Sequence, residues 1–350
     1  MAKRYEIFDV AKGIAIILVV LGHCRQTAIE YFVCMIHLPV FLFVSGCFWK
    51  ESDSDQPISL LKRRIKGLYL PYLLYEVVFF FLRPLFLCIS WYDPTQVSFS
   101  LNLRFILKEL ALIFLGAGRE QLLGAFWYFI SLIFINLIFL IISIINKKFF
   151  RGREDIRATI IILITLLSCL LRENIIIPRF EPALLGLALF YCGVLYTKYK
   201  DSIQFKLPFF ISAACTVLVC KYYGNIAIGN STITDPPFYI VAGLCAVYSV
   251  LYLSFCICQS IKMGGMKRLF IFLGRNTIIV MAFHEIGFKI LSTLLYFFTP
   301  FGSLGMIDLQ AVPVGNTTIP FVFAYFLFSV VFCLAIIQLK NLWQKYLKGK

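Results

Sequence analysis

From Phe8 onward the chain is a series of apolar blocks, each about 20 residues long, separated by short polar or basic connections. A helix of that length crosses a hydrocarbon core about 30 Å thick. The blocks predict ten membrane spans, at about 8–25, 31–49, 69–90, 126–146, 158–175, 182–197, 207–222, 237–258, 274–297 and 319–339. The expected fold is all-α, a polytopic integral membrane helix bundle. No internal repeat and no Gly-, Pro- or Ser-rich linker divides it, so residues 1–350 read as a single transmembrane domain. The first block is too long for a signal peptide, carries Asp9 near its start and is followed by no small-residue cleavage site, so it reads as the first span.

Composition agrees with the pattern. Hydrophobic residues make up 61% of the chain and charged residues 15%, whereas a soluble domain has about half and a quarter. The 12 cysteines lie mostly in apolar blocks, without metal-ligand spacing, and read as small buried hydrophobes.

Charge orients the bundle. Lys and Arg recur in every second connection: Lys3 and Arg4; Lys62, Arg63, Arg64 and Lys66; Lys147, Lys148 and Arg151; Lys198 and Lys200; Lys267 and Arg268; and Lys340 onward. Because basic residues collect on the cytoplasmic side, both termini are expected there. The intervening connections are poor in Lys and Arg except 91–125, which holds Arg104, Lys108 and Arg119. That connection includes LRFILKELALIFLG, an amphipathic or re-entrant candidate, and is expected outside. The +15 net charge therefore follows from orientation and attraction to anionic lipid headgroups, and calls for no nucleic acid. The patch KRRIKGLYLPY at 62–72 reads as a solvated membrane-proximal face or as a landing site for a phosphorylated cytosolic cofactor.

Ionisable residues inside spans are costly and mark function unless they lie at helix ends. The first span carries Asp9 and Lys12, spaced to form an i, i+3 ion pair, and His23 eleven residues after Lys12. Eleven residues bring the direction back to within about 20°, so Lys12 and His23 share a face, about 16 Å apart along the axis. His37 lies in the outer half of the second span, near the depth of His23. The ninth begins with Arg275 and Asn276 and carries His284 and Glu285 near its middle, of which one at most faces a given cavity squarely. All three histidines of the chain thus fall inside spans. Arg83 and Asn136 are weaker signals, and Trp127 and Tyr128 read as an interfacial belt.

Three chemistries fit a polar core of this kind: group transfer with imidazole as base or nucleophile, proton-coupled transport, and a scaffold whose polar residues hold helices together. No H-x-x-x-H or similar ligand pair occurs, so no metal is expected.

The runs FDVAKGIAIILVVLGH and IHLPVFLFVSG, a basic stretch ending in LPY, FWYFISLIF and GRNTIIVMAFH follow in order along nearly the whole chain. Together they resemble the membrane acyltransferase-3 family, in particular its fucose 4-O-acetylase-like subgroup. The resemblance implies an inner-membrane enzyme that moves an acetyl group from cytosolic acetyl-CoA to a hydroxyl of a cell-surface or lipid-linked saccharide. An exporter of a polysaccharide precursor is the alternative. The family's Arg, ten residues, His motif falls on Lys12 and His23; Lys keeps the positive charge but loses the bidentate fork. On this reading His23 is the base or acyl carrier, with Lys12 and Asp9 beside it in the catalytic set. Lys12, Arg63, Arg64 and Arg275 meet the acetyl-CoA phosphates, and His37, His284, Glu285 and Asn276 orient the acceptor or tune His23.

Overall fold

The computed structural model describes residues 2–24, 27–170, 179–223, 236–311 and 318–348. Among them there are thirteen α-helices and no strand. They are α1 (Ala2–Gly22), α2 (Thr27–Cys47), α3 (Pro57–Arg64), α4 (Leu70–Cys88), α5 (Leu103–Phe114), α6 (Trp127–Phe150) and α7 (Glu154–Leu170). They continue with α8 (Phe180–Tyr199), α9 (Leu207–Tyr223), α10 (Pro236–Gln259), α11 (Gly264–Arg275), α12 (Thr277–Phe298) and α13 (Ile319–Lys348).

Seven described helical stretches are long and apolar enough to cross a membrane: Ile29–Cys47, Pro57–Cys88, Gln121–Phe150, Phe180–Ser202, Phe238–Gln259, Thr277–Phe298 and Ile319–Leu347. The chain is a multi-pass membrane protein. Of the three other expected spans, 207–222 is a shorter apolar helix, 8–25 falls largely on α1, and 158–175 falls on α7 with its end outside the described residues. Of the expected outer connections 223–236 and 299–318, residues 224–235 and 312–317 lie outside the described residues.

The helices that carry the polar residues are held together by backbone contact. A Cβ at Gly13 of α1 would sit 2.1 Å from the Phe270 carbonyl oxygen of α11, and one at Gly274 would sit 1.9 Å from that of Asp9. Gly46 of α2 and Gly193 of α8 interlock likewise, each built Cβ 1.9 Å from the partner helix's carbonyl oxygen. Small residues let helices approach this closely where lipid supplies no hydrophobic drive. α1 lies at the centre, packed on α2, α10, α11 and α12.

The long connection between α4 and α6 folds back into the bundle. Its helix α5 covers the stretch that reads as amphipathic and runs antiparallel to α4. Phe105 meets Phe80 with ring centroids 6.4 Å apart, and the Tyr69 hydroxyl donates to the Phe114 carbonyl at 2.6 Å. The chain turns at Gly116, whose φ of +78° suits glycine. It then returns past the Tyr72 hydroxyl, which accepts from the Gly118 N–H at 3.0 Å, into a short 3-10 helix at Gln121–Phe126. Buried Arg83 locks this hairpin, donating to Glu109 Oε2 at 2.8 Å and Glu120 Oε1 at 2.6 Å.

Candidate active site

The folded-back hairpin brings Gly124 against α1 and α12, and a polar cavity of about 650 Å³ opens there. Gly22 at the end of α1 and His23 in the turn after it line it, with Glu30, His37, Leu38 and Phe41 from α2, and Met281 and Glu285 from α12. Gln121, Gly124, Trp127 and Tyr128 form the hairpin wall, while Asp93, Gln96, Arg179, Asp308 and Gln310 come from connections at the mouth.

His23 Nδ1 lies 3.1 Å from Glu285 Oε1, joining residues 262 positions apart in the chain. A carboxylate only accepts, so the imidazole donates from Nδ1 and keeps its lone pair on Nε2. Glu285 is 2% exposed, and its Oε2 has no partner among the described residues. His284 is fully buried and does not line the cavity. It stands edge-on to the His23 ring with centroids 4.9 Å apart, and its Nδ1 donates to the Val280 carbonyl at 2.9 Å. Only Glu285 of this adjacent pair reaches the cavity, as 100° per residue requires. His37 Nδ1 donates to the Val33 carbonyl of its own helix at 2.7 Å, which fixes Nε2 as an acceptor.

The other end of α1 holds a second cluster. Asp9 is buried and bridges Lys12 and Arg275, each at 2.8 Å. The Lys12 ammonium lies 5.9 Å from the centre of the Phe48 ring. One turn before Phe48, Ser45 meets the Tyr128 hydroxyl at 3.4 Å, and Tyr128 lines the cavity. Polar groups thus run along the α1–α2 seam from Asp9 to the cavity floor. Arg63 pairs with buried Asp53 at 2.8 Å. Arg64 differs: its Nε and Nη2 are buried without a partner among the described residues.

Most of the expected site residues gather at these two places. His23, His37 and Glu285 line the cavity and His284 backs it; Asp9, Lys12 and Arg275 form the opposite cluster. Asn276 joins neither, because its Nδ2 donates to the Phe272 carbonyl and spans the break between α11 and α12. Tyr128, expected in an interfacial belt, is instead buried at the cavity wall, since the hairpin before it carries the start of α6 into the bundle.

Sequence reasoning passed over Lys289. It is fully buried one turn beyond Glu285 and donates to the Leu309 and Ala311 carbonyls at 2.5 and 2.6 Å, which fixes the segment bearing Asp308 and Gln310. An isolated cation inside an apolar block was the available signal. Thr293, one turn further, accepts from Trp91 Nε1 at 2.9 Å and anchors the segment bearing Asp93 and Gln96. Successive turns of α12 therefore carry the site carboxylate and tie down two walls of the mouth.

A family model described as an acyltransferase domain, that of the acyltransferase-3 family, matches residues 5–338. The chain belongs to this family and is a membrane acyltransferase. No curated protein and no solved structure matches it significantly.

Proposed function

We propose that the protein transfers an acetyl group from cytosolic acetyl-CoA to a saccharide hydroxyl presented on the far side of the inner membrane. The observation that carries this reading is the His23–Glu285 pair set in the floor of a polar cavity. Glu285 holds the ring through Nδ1 and leaves Nε2 as the general base. His23 Nε2 takes the acceptor's hydroxyl proton as the alkoxide oxygen bonds to the thioester carbonyl carbon. Collapse of the tetrahedral adduct breaks the C–S bond, and the proton on Nε2 passes to the departing thiolate. Transient acetylation of His23 is a second route with the same residues.

The rest of the site supports donor and acceptor on opposite sides. With both termini cytoplasmic and the ten spans in place, Asp9, Lys12 and Arg275 stand at the cytoplasmic end and the cavity mouth opens outward. Arg64, with buried Nε and Nη2 lacking hydrogen-bond partners among the described residues, suits a phosphate. Lys12 and Arg275 add positive charge at the Asp9 cluster. The extended pantetheine arm follows the seam past Phe48, Ser45 and Tyr128, over about 16 Å of α1. Glu30, Asp93, Gln96, Gln121, Asp308 and Gln310 at the mouth suit a ligand rich in hydroxyls. His37 orients that ligand, and His284 packs His23 in place.

The test uses the full chain in vesicles, with radiolabelled acetyl-CoA on one side and candidate saccharides on the other. Label should reach the saccharide with the intact protein and not with His23→Ala. Lys12→Arg should retain more activity than Lys12→Ala. Full transfer by purified His23→Ala would overturn the mechanism, and equal activity of the two Lys12 variants would remove Lys12 from it.

A further inference from the structure

The trio of His23, His284 and Glu285 at the cavity wall has the composition of a metal site. His23, His284 and Glu285 each offer one ligand atom, and these atoms lie within 4.8 Å of one another. The two edges to Glu285 measure 3.1 and 3.9 Å. Two ligands of a tetrahedral Zn²⁺, each about 2.0–2.1 Å from the ion, stand about 3.3 Å apart. Both edges lie within about 0.6 Å of that value.

The surroundings point the same way. Val280's carbonyl accepts from His284 Nδ1, which leaves the Nε2 lone pair free. A backbone carbonyl on the distal nitrogen is the usual support of a metal-binding imidazole. That Nε2 is fully buried and has no partner among the described residues, and neither has Glu285 Oε2. Buried acceptors without donors are costly, and a cation bound at His284 Nε2 and the Glu285 carboxylate offsets that cost. Nearby Lys289 does not serve, because its ammonium is occupied by the Leu309 and Ala311 carbonyls. His23 and Glu285 both line the cavity, so the fourth tetrahedral position is open to water.

We propose that His23, His284 and Glu285 bind a divalent transition-metal ion, Zn²⁺ by the nature of the ligands, and that the bound ion silences acyl transfer. The silencing follows from the imidazole tautomer. The metal takes the lone pair on His23 Nδ1, so the proton held there moves to Nε2 and none is gained or lost. Nε2 is the atom that must accept the hydroxyl proton. The metal-bound and transfer-competent forms therefore exclude each other. This last step rests on His23 as the base; the binding itself does not.

The experiment uses the full-length protein in detergent, stripped with chelator and titrated with Co²⁺ and then Zn²⁺. Intact protein should show the visible bands of tetrahedral Co²⁺ at one equivalent per chain, lost on adding Zn²⁺, and Zn²⁺ should raise its melting temperature. His284→Gln and Glu285→Gln should lose both signals while melting cooperatively without metal. In the transfer assay, Zn²⁺ at ten times its dissociation constant should cut the rate about tenfold, and chelator should restore it. Absence of the Co²⁺ bands, or equal binding by both variants, overturns the site. Faster or unchanged transfer with Zn²⁺ bound overturns the silencing. An intact protein that binds Co²⁺ but acetylates nothing would count against the transferase reading and leave the site standing.

Discussion

Replacing Gly124 with Ala presses a methyl group against the carboxylate that holds His23. The added Cβ would sit 3.1 Å from Glu285 Oε1 and 3.9 Å from His23 Cε1, whereas ordinary contact begins at 3.4 Å. Gly124 lies in a 3-10 helix, so an alanine there meets no backbone penalty of its own. The carboxylate must give way by a few tenths of an ångström, and its bond to His23 Nδ1 is already 3.1 Å. A hydrogen bond to a charged group contributes about 1.5–3 kcal/mol. Loosening it should remove about half of that, and at about 1.4 kcal/mol per decade the rate should fall about 3- to 12-fold. The assay is the initial rate of labelled acetyl transfer, paired with the melting temperature in detergent. A kcat near that of the intact protein, with the fold preserved, would show that Glu285 does not orient His23. An equal loss of rate and of folded protein would assign the effect to packing.

Three other substitutions probe the frame of the site. Gly46→Val should drive its side chain into the Phe190 carbonyl, where even a Cβ sits at 1.9 Å, and destabilise the α2–α8 contact by at least about 3 kcal/mol, read as lost yield and melting temperature. Arg83→Met should leave Glu109 and Glu120 unpaired, cost about 3–5 kcal/mol and expose residues 91–125 to protease; Glu120→Gln in the same chain should recover part of the loss. At the start of α7, burial alone would raise the Glu154 carboxyl, but hydrogen bonds from Arg157, Lys198 and Tyr191 outweigh it and hold the group at about 2, below its ordinary 4.5. A depressed carboxyl stabilises fully above its unfolded value, so the melting-temperature gap between intact protein and Glu154→Gln should shrink as pH falls from about 4.5 towards 2.

Relations within one helix were legible in the sequence and relations between helices were not. Apolar block lengths put His23, His37, His284 and Glu285 in expected spans, and the 100° step foretells that His284 and Glu285 look in different directions. The i, i+3 spacing foretells the Asp9–Lys12 pair. Which helices stand beside one another depends on contacts such as Gly13 against Phe270 and Gly46 against Phe190, whose partners no local pattern names. For that reason the His23–Glu285 bond, the addition of Arg275 to Asp9, and the packing of His284 against His23 were out of reach. The hairpin was half legible: the amphipathic stretch marks α5, but Arg83 gains its meaning only when Glu109 and Glu120 fold back onto it. Tyr128 was misread for the same reason, since a helix that begins beneath a buried hairpin looks in sequence like one that begins at the interface. Lys289 is buried in a helix and bonded to backbone carbonyls, and carbonyl acceptors leave no trace in side-chain identity.

The most direct measurement of the central claim is the O-acetyl content of cell-surface glycan by NMR, in cells with the gene intact, deleted, or encoding His23→Ala. Loss of one O-acetyl signal in both altered strains, with the polymer still present, is the result expected of an acyltransferase whose base is His23. Retention of that signal in the His23→Ala strain, or disappearance of the polymer itself, would contradict it.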